Sequence, residues 1–206
     1  MKKVLFIGSH TDDIEHGAGG LLAKCIANPD IQVSYVTMSR CLDLERNEKL
    51  ALDQERVKEY FNSIGVSCSM LDFPNRLLST VSLLIRQELE NIRDKFNPTL
   101  VVSHWMGDIH QDHKYLAEEV ARVFRNHSVL GYQVLRSCPR FSPNYYVKLT
   151  EKELEQKIQL VNMFETQTTL YYNKPESIRG CACMRGVEIG CEFAEAYFAD
   201  RMIGEF

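Results

Sequence analysis

What constrains this chain most is an alternation of short apolar runs with longer helical stretches. VLFIG (4–8), QVSYVTM (32–38), residues 66–73 and TLVVSH (99–104) have the length and apolar character of strands covered on both faces. Helical segments fall between them. Residues 17–28 form one, and residues 47–64 carry a stripe at Leu50, Val57, Tyr60, Phe61 and Ile64. Residues 80–96 place Leu83, Leu84, Ile85, Leu89 and Ile92 on or near one face until Asn97-Pro98 stops them. A helix is expected from about His113 to Asn126, strands at VLGYQVL and NYYVKL, and a late helix at Glu151–Glu165. The remainder, rich in Gly and Cys, carries no clear period. This βαβα order predicts an α/β fold, a mostly parallel sheet with helices on both faces and a C-terminal elaboration. At 206 residues, one domain spanning 1–206 accommodates it.

Composition removes several classes. A net charge of −4 lacks the basic excess of a nucleic-acid binder. No apolar run approaches the roughly 18 residues of a membrane span, so no membrane insertion is expected. The N-terminal VLFI is shorter than a signal-peptide core, about 7–15 residues, and reads as a strand, so the expected location is cytoplasmic. Seven cysteines, an odd number without a signal peptide, do not suggest a disulfide framework. Cys181 and Cys183, with Cys191 beyond, lack the paired spacing of a zinc site and read as core filling.

The chemistry concentrates in two loops. In a doubly wound sheet ligands bind beyond the carboxyl ends of the strands, where strand order reverses. With order 3-2-1-4, strands one and four are neighbours there. SHTDDIEHG (9–17) follows the first strand and HWMGDIHQDH (104–113) the fourth, and together they hold five of the six histidines. An imidazole and a carboxylate from the first loop, with an imidazole from the second, would leave a metal's fourth position open for water. A further carboxylate could take the proton of that water, and a further histidine could stabilise an oxyanion. A hydrogen-bonded polar cluster at strand ends is the competing reading. No G-x-S-x-G elbow supports a serine hydrolase.

HTDDIEHGAGG, DIHQDH and the ending GCEFAEAYF resemble, in this order, the HPDDIE-x-G-x-GG, D-x-H-P-D-H and G-x-x-YAEAF signatures of the PIG-L/LmbE-like de-N-acetylases. The resemblance implies a Rossmann-like fold and a Zn²⁺-dependent hydrolase that removes acetyl from an N-acetylated amino sugar or sugar conjugate. By position it implies metal ligands His10, Asp13 and His113, Asp12 as general base, His110 as oxyanion stabiliser, and Asp112 as a residue orienting a histidine. It also implies a small-molecule sugar partner and a homo-oligomer.

The chain departs from that pattern. Thr11 and Gln111 replace prolines that carry no chemistry. Asn75 and Arg76 in FPNRL stand where relatives often have Asp-Gly, which bears on substrate rather than catalysis. Arg40, just past strand two, matches a family arginine suited to a phosphate or hydroxyl. Trp105 could stack on a sugar face, and with His104 it shapes the pocket rim. Gly17, Gly19 and Gly20 do not complete a dinucleotide fingerprint, because Leu22 stands in the third glycine's place. They read as close helix packing beneath the metal loop. Two rivals remain: a noncatalytic carbohydrate- or nucleotide-binding module, and a zinc amidohydrolase of another N-acyl compound.

Overall fold

The computed structural model describes residues 1–42 and 47–204. Seven strands make one sheet: β1 (Lys2–His10), β2 (Ile31–Ser39), β3 (Ser67–Met70), β4 (Leu100–His104), β5 (Ser128–Tyr132), β6 (Tyr145–Leu149) and β7 (Phe193–Arg201). Their order is β3-β2-β1-β4-β5-β7-β6. The first five are parallel, while β7 runs antiparallel to β5 and β6 antiparallel to β7. The helices are α1 (Asp13–Ile26), α2 (Asn47–Ser63), α3 (Ser82–Phe96), α4 (Gln111–Val123), α5 (Glu151–Asn162) and α6 (Pro175–Ile189).

Strand periodicity explains the layers. Along β1, Val4 and Phe6 join one core with residues of α1, α2 and α5. Leu5 and Ile7 point the other way, into a second core with α3 and α4. A third cluster, including Leu154, Ile158, Ile178 and Phe193, binds α5 and α6 to the C-terminal strands. The fold is thus α/β with helices on both faces, and β1 and β4 are neighbours where the order reverses. Among the described residues, no helix is long and apolar enough to cross a membrane.

Several boundaries differ from the sequence expectation. Helix α1 starts at Asp13 rather than Gly17, because its polar first turn and three glycines hide its helical period. The glycines are there for contact. A Cβ on Gly17 would lie 2.1 Å from the Tyr132 ring, and one on Gly20 2.6 Å from Leu149. The expected strand 129–135 ends at Tyr132, so Val134 is free to line a cavity. The unassigned tail folds as α6 and β7. Helix α6 is too evenly apolar and polar around its circumference to show a stripe.

Helix α1 is kinked at Ala18, whose φ of −139° is not helical. A kink frees amide donors that a straight helix would bond internally. Two of them, Gly20 and Leu21, donate to the Glu195 carboxylate of β7 at 2.8 and 2.7 Å. Lys157 and Tyr197 donate to the same group, each at 2.6 Å. The C-terminal strands therefore fix the helix that begins with the chemistry-bearing loop.

Candidate active site

His10 is the last residue of β1 and His104 the last of β4, so strand pairing brings the two loops together. Asp12 joins β1 to α1 in a left-handed conformation, φ 85°. A non-glycine residue pays for that conformation in strain, a feature that concentrates at functional sites. Asp13 then opens α1, where the helix dipole favours a carboxylate.

Asp13 is ringed by imidazoles. Its Oδ2 accepts from the His10 backbone N–H at 2.8 Å and lies 3.4 Å from His10 Nδ1. The same oxygen is 3.3 Å from His104 Nε2, and Oδ1 is 3.4 Å from His113 Nε2. Burial by itself would raise the Asp13 carboxyl, but His113, His104 and His10 hold it well below the usual carboxylate range. Asp12 goes the other way. Burial, then the charges of Asp13 and Glu15, push it well above that range, against the pull of His10 and Asn173. Two adjacent carboxyls are thereby separated in proton affinity, the arrangement that divides an ionised group from a base.

Second carboxylates orient the histidines. His10 Nε2 donates to Asp112 Oδ2 at 3.0 Å. Burial disfavours the His10 cation, but the bonds to Asp112 and Asp13 prevail and raise it to about 10. Asp112 is itself held by the backbone N–H groups of Arg76, at 2.6 Å, and Leu78. His113 Nδ1 lies 2.9 Å from Asp108 Oδ2, and Asp108 also accepts from Ser137 and from the His110 backbone. His110 caps α4, its Nδ1 accepting from the Asp112 N–H. In the neutral ring this leaves Nε2–H free to donate. Burial, then the neighbouring His113 and His10, lower its basicity.

Two overlapping groups have ligand atoms within 4.8 Å of one another: His10/His110/His113 and Asp13/His104/His113. The expected ligands His10, Asp13 and His113 are shared between these groups and linked through the two oxygens of Asp13. Both Asp13-to-nitrogen gaps are 3.4 Å. Ligand arms of about 2.0–2.2 Å in a tetrahedron put neighbouring ligand atoms roughly 3.3–3.6 Å apart. Imidazole and carboxylate donors are the chemistry that suits a divalent cation, but the two gaps run from different Asp13 oxygens, and His10, Asp13 and His113 together are not one of the two groups whose ligand atoms converge. His104 fits less well, because its Nε2 already accepts the Ser9 N–H at 3.0 Å.

These groups lie at one side of a cavity of about 640 Å³, whose wall includes His10, Asp12, Asp13, His110 and His113. That size suits a small-molecule ligand. Arg40 and Trp105 are not in the wall. The Arg40 guanidinium forks onto Asp72 at 2.5 and 2.7 Å. Trp105 packs edge-on against Phe141 and over Gly107. Sequence reasoning assigned no role to Asp108, although it is the first acid of DIHQDH, and placed His104 only at the rim. Their signal was present in the motif's density of His and Asp, but spacing alone could not say which carboxylate meets which ring.

Four known relatives share features with this geometry, one as a family and three as solved structures. The model of the family PIG-L, GlcNAc-PI de-N-acetylase, matches residues 5–124. The N,N'-diacetylchitobiose deacetylase from Pyrococcus horikoshii superposes with a TM-score of 0.74 at 22% identity, over 95% of this chain and 82% of that one. The zinc-inhibited form of teicoplanin deacetylase Orf2 superposes at 0.77 and 13% identity, over 95% and 97%. GalB, the 4-carboxy-2-hydroxymuconate hydratase from Pseudomonas putida KT2440, superposes at 0.77 and 18% identity over the whole of both chains. At these identities the likenesses show a shared fold, and that fold also carries a hydratase.

Proposed function

The chain belongs to the PIG-L family of de-N-acetylases, and from that premise we propose that it is a metal-dependent hydrolase, served by zinc, which removes the acetyl group of an N-acetylated amino sugar or sugar conjugate. One observation carries the reading. The two oxygens of Asp13 each stand 3.4 Å from a ring nitrogen, of His10 and of His113, beside the strained and proton-avid Asp12. In this reading His10, Asp13 and His113 hold the cation. When bound, a divalent cation supplies Lewis-acid polarisation of a carbonyl and acidifies water towards a pKa of about 7.

The chain's own residues do the rest. Asp12 takes the proton of the water that attacks the acetamide carbonyl carbon. Its raised affinity suits a base working near neutral pH. His110 donates from Nε2 to the carbonyl oxygen as it gains charge, a bond that strengthens only in the transition state. Asp12 then returns the proton to the departing amine, so acetate and a free amine leave without an acyl-enzyme. Asp112 and Asp108 hold the rings of His10 and His113 in place.

The test pairs two neighbours. Asp12→Asn is expected to keep about one metal equivalent while acetate release falls by about 10²–10⁴-fold. Asp13→Ala is expected to lose metal as well, read by elemental analysis. Metal lost only from the Asp12 variant would reverse the roles. A hydratase reading has the GalB fold in its favour; it requires water addition to a C=C substrate and no acetate from any N-acetyl sugar.

A further inference from the structure

His113 belongs to both groups whose ligand atoms converge, His10/His110/His113 and Asp13/His104/His113. Whatever fixes its ring therefore bears on either set. Its Nδ1 donates to Asp108 Oδ2 at 2.9 Å, which in the neutral ring leaves the lone pair on Nε2. Nε2 is the atom that stands 3.4 Å from Asp13. The ring is only as fixed as the Asp108 carboxylate.

Two neighbouring side chains hold that carboxylate, both from the loop after β5. Ser137 Oγ donates to Asp108 Oδ2 at 2.8 Å, and Cys138 Sγ donates to the same oxygen at 3.1 Å. All three residues are buried. Burial, then the charge of Asp108, push the Cys138 thiol well above its usual range, so the sulfur keeps the proton that it donates. A buried cysteine ordinarily packs as a small apolar residue; this one sets its sulfur on a carboxylate oxygen.

The main chain of the pair is fixed as well. The N–H groups of Ser137 and Cys138 both donate to Val134 O at 3.1 Å, and Ser137 O accepts from the Ile109 N–H at 3.0 Å. Cys138 O accepts from Gln133 Nε2 at 3.3 Å, and Gln133 Oε1 accepts from Arg185 Nη2 at 3.0 Å. Arg185 lies in α6 and is 7% exposed. A continuous run of bonds thus leads from the interior of α6 to His113. Residues 133–138 and 185 stand beyond the stretch 5–124 that the family model matches.

Resting on the metal-dependent reading, we propose that Ser137 and Cys138 are positioning residues for His113: together they orient the Asp108 carboxylate, which holds the ring with Nε2 towards the cation. They act through Asp108 and not on the reacting atoms. An oxygen that accepts three donors has little freedom to turn, and a buried polar network of this kind specifies one arrangement only while its bonds are complete.

The experiment measures Zn²⁺ affinity by competition with a chelator, in the parent, in Ser137→Ala with Cys138→Ala, and in the same pair placed on Asp108→Asn. The double variant is expected to bind Zn²⁺ about 10–100-fold more weakly, the scale for a lost hydrogen-bond partner behind a ligand. On Asp108→Asn the pair is expected to add less than about threefold, because residues acting through one group are not additive. Cys138→Ser keeps a donor and is expected to stay within about threefold of the parent. Unchanged affinity with a lower unfolding midpoint, or a full further loss on Asp108→Asn, would mean that the pair only packs and would overturn the proposal. If the double variant does not fold, Ser137→Ala alone carries the same expectation at about tenfold. A second readout needs no metal. In the metal-free parent, ¹⁵N spectra of His113 are expected to show the Nδ1–H tautomer alone, and in the double variant a mixture of both; the same spectrum in both proteins overturns the proposal. A parent that binds no Zn²⁺ sinks the metal reading instead, and these spectra then decide the positioning by themselves.

Discussion

The carboxylates at the head of α1 and the one behind it are used in opposite ways. Glu195, in β7, has every acceptor position engaged, by two kink amides, an ammonium and a hydroxyl. Asp13 has oxygens facing ring nitrogens across gaps too long for a good hydrogen bond. Around the same site, Ser9 Oγ, Ser103 Oγ and His104 Nδ1 are buried without partners, and Asp12 and Arg76 hold strained φ values. A saturated carboxylate holds its neighbours and can do nothing else. An unsaturated cluster is less stable and has bonds left for a ligand. The difference predicts that the first region is read out in stability and the second in rate.

The largest expected effect tests the saturated group. Glu195→Ala leaves the Lys157 ammonium, 8% exposed, without its partner, and leaves the two α1 amides unbonded. Breaking a buried pair from one side costs about 3–5 kcal/mol. Urea unfolding is expected to show that loss, and metal affinity to fall with it, since α1 carries Asp13. A variant as stable as the parent would show that the kink is held by other contacts.

His110→Ala is the counterpart from the unsaturated side. It removes a ring that stacks on His113 at 4.2 Å but holds no buried charge. Metal content is expected to change little, and stability to fall by only the roughly 0.5–2 kcal/mol of a lost helix cap. The kcat is expected to fall about 10²–10³-fold, the scale of one oxyanion donor, about 2.7–4 kcal/mol. Loss of the metal from a folded protein would make His110 a ligand, through the His10/His110/His113 group.

Asp200 sharpens the contrast within β7. It lies five residues beyond Glu195, and burial raises its carboxyl to about 6, against the weaker opposing pull of Arg201. A carboxyl raised in the fold binds its proton more tightly than in the unfolded chain. Its stabilising contribution is therefore complete below about pH 4 and lost as pH rises through 6. Asp200→Asn is expected to abolish that decline. A pH–stability profile from pH 4 to 7 that is the same in both proteins would contradict it.

How much of this was legible in the sequence differs by region. The parallel core was, because its strands are apolar runs of strand length and its order follows from βαβ connections. The two loops were, because five histidines gather after neighbouring strands. The start of α1 was not: its first turn is polar and its glycines answer to Tyr132 and Leu149, which are far away in sequence. Strand β7 entered only as an ending motif, and nothing local in GCEFAEAYF says that Glu195 meets a kink 175 residues earlier. Asp108 and Asp112 each lie near two histidines in sequence, and only the loop geometry distributes them. Arg76 was visible as a departure from a glycine position, but that its backbone N–H holds Asp112 is a property of the folded loop at the cavity wall.

Arg40 supplies the smallest expected effect and the cleanest control on that cavity. Its matching position suggested a substrate contact, yet its guanidinium is forked onto Asp72, which is largely exposed, outside the cavity wall. The positioning belongs to its main chain instead. The Arg40 N–H donates to Leu71 O at 2.9 Å, and its carbonyl accepts from Gln54 Nε2 at 2.7 Å. Gln54 in turn reaches Thr11, in the loop that carries Asp12. Arg40→Ala keeps both backbone bonds and deletes only the exposed pair, worth about 0.2–1 kcal/mol. Stability is expected to fall by no more than that, and kcat/KM for acetate release to stay within about twofold. A tenfold rise in KM for Arg40→Ala would mean that the Asp72 pair opens to receive substrate at the end of β2.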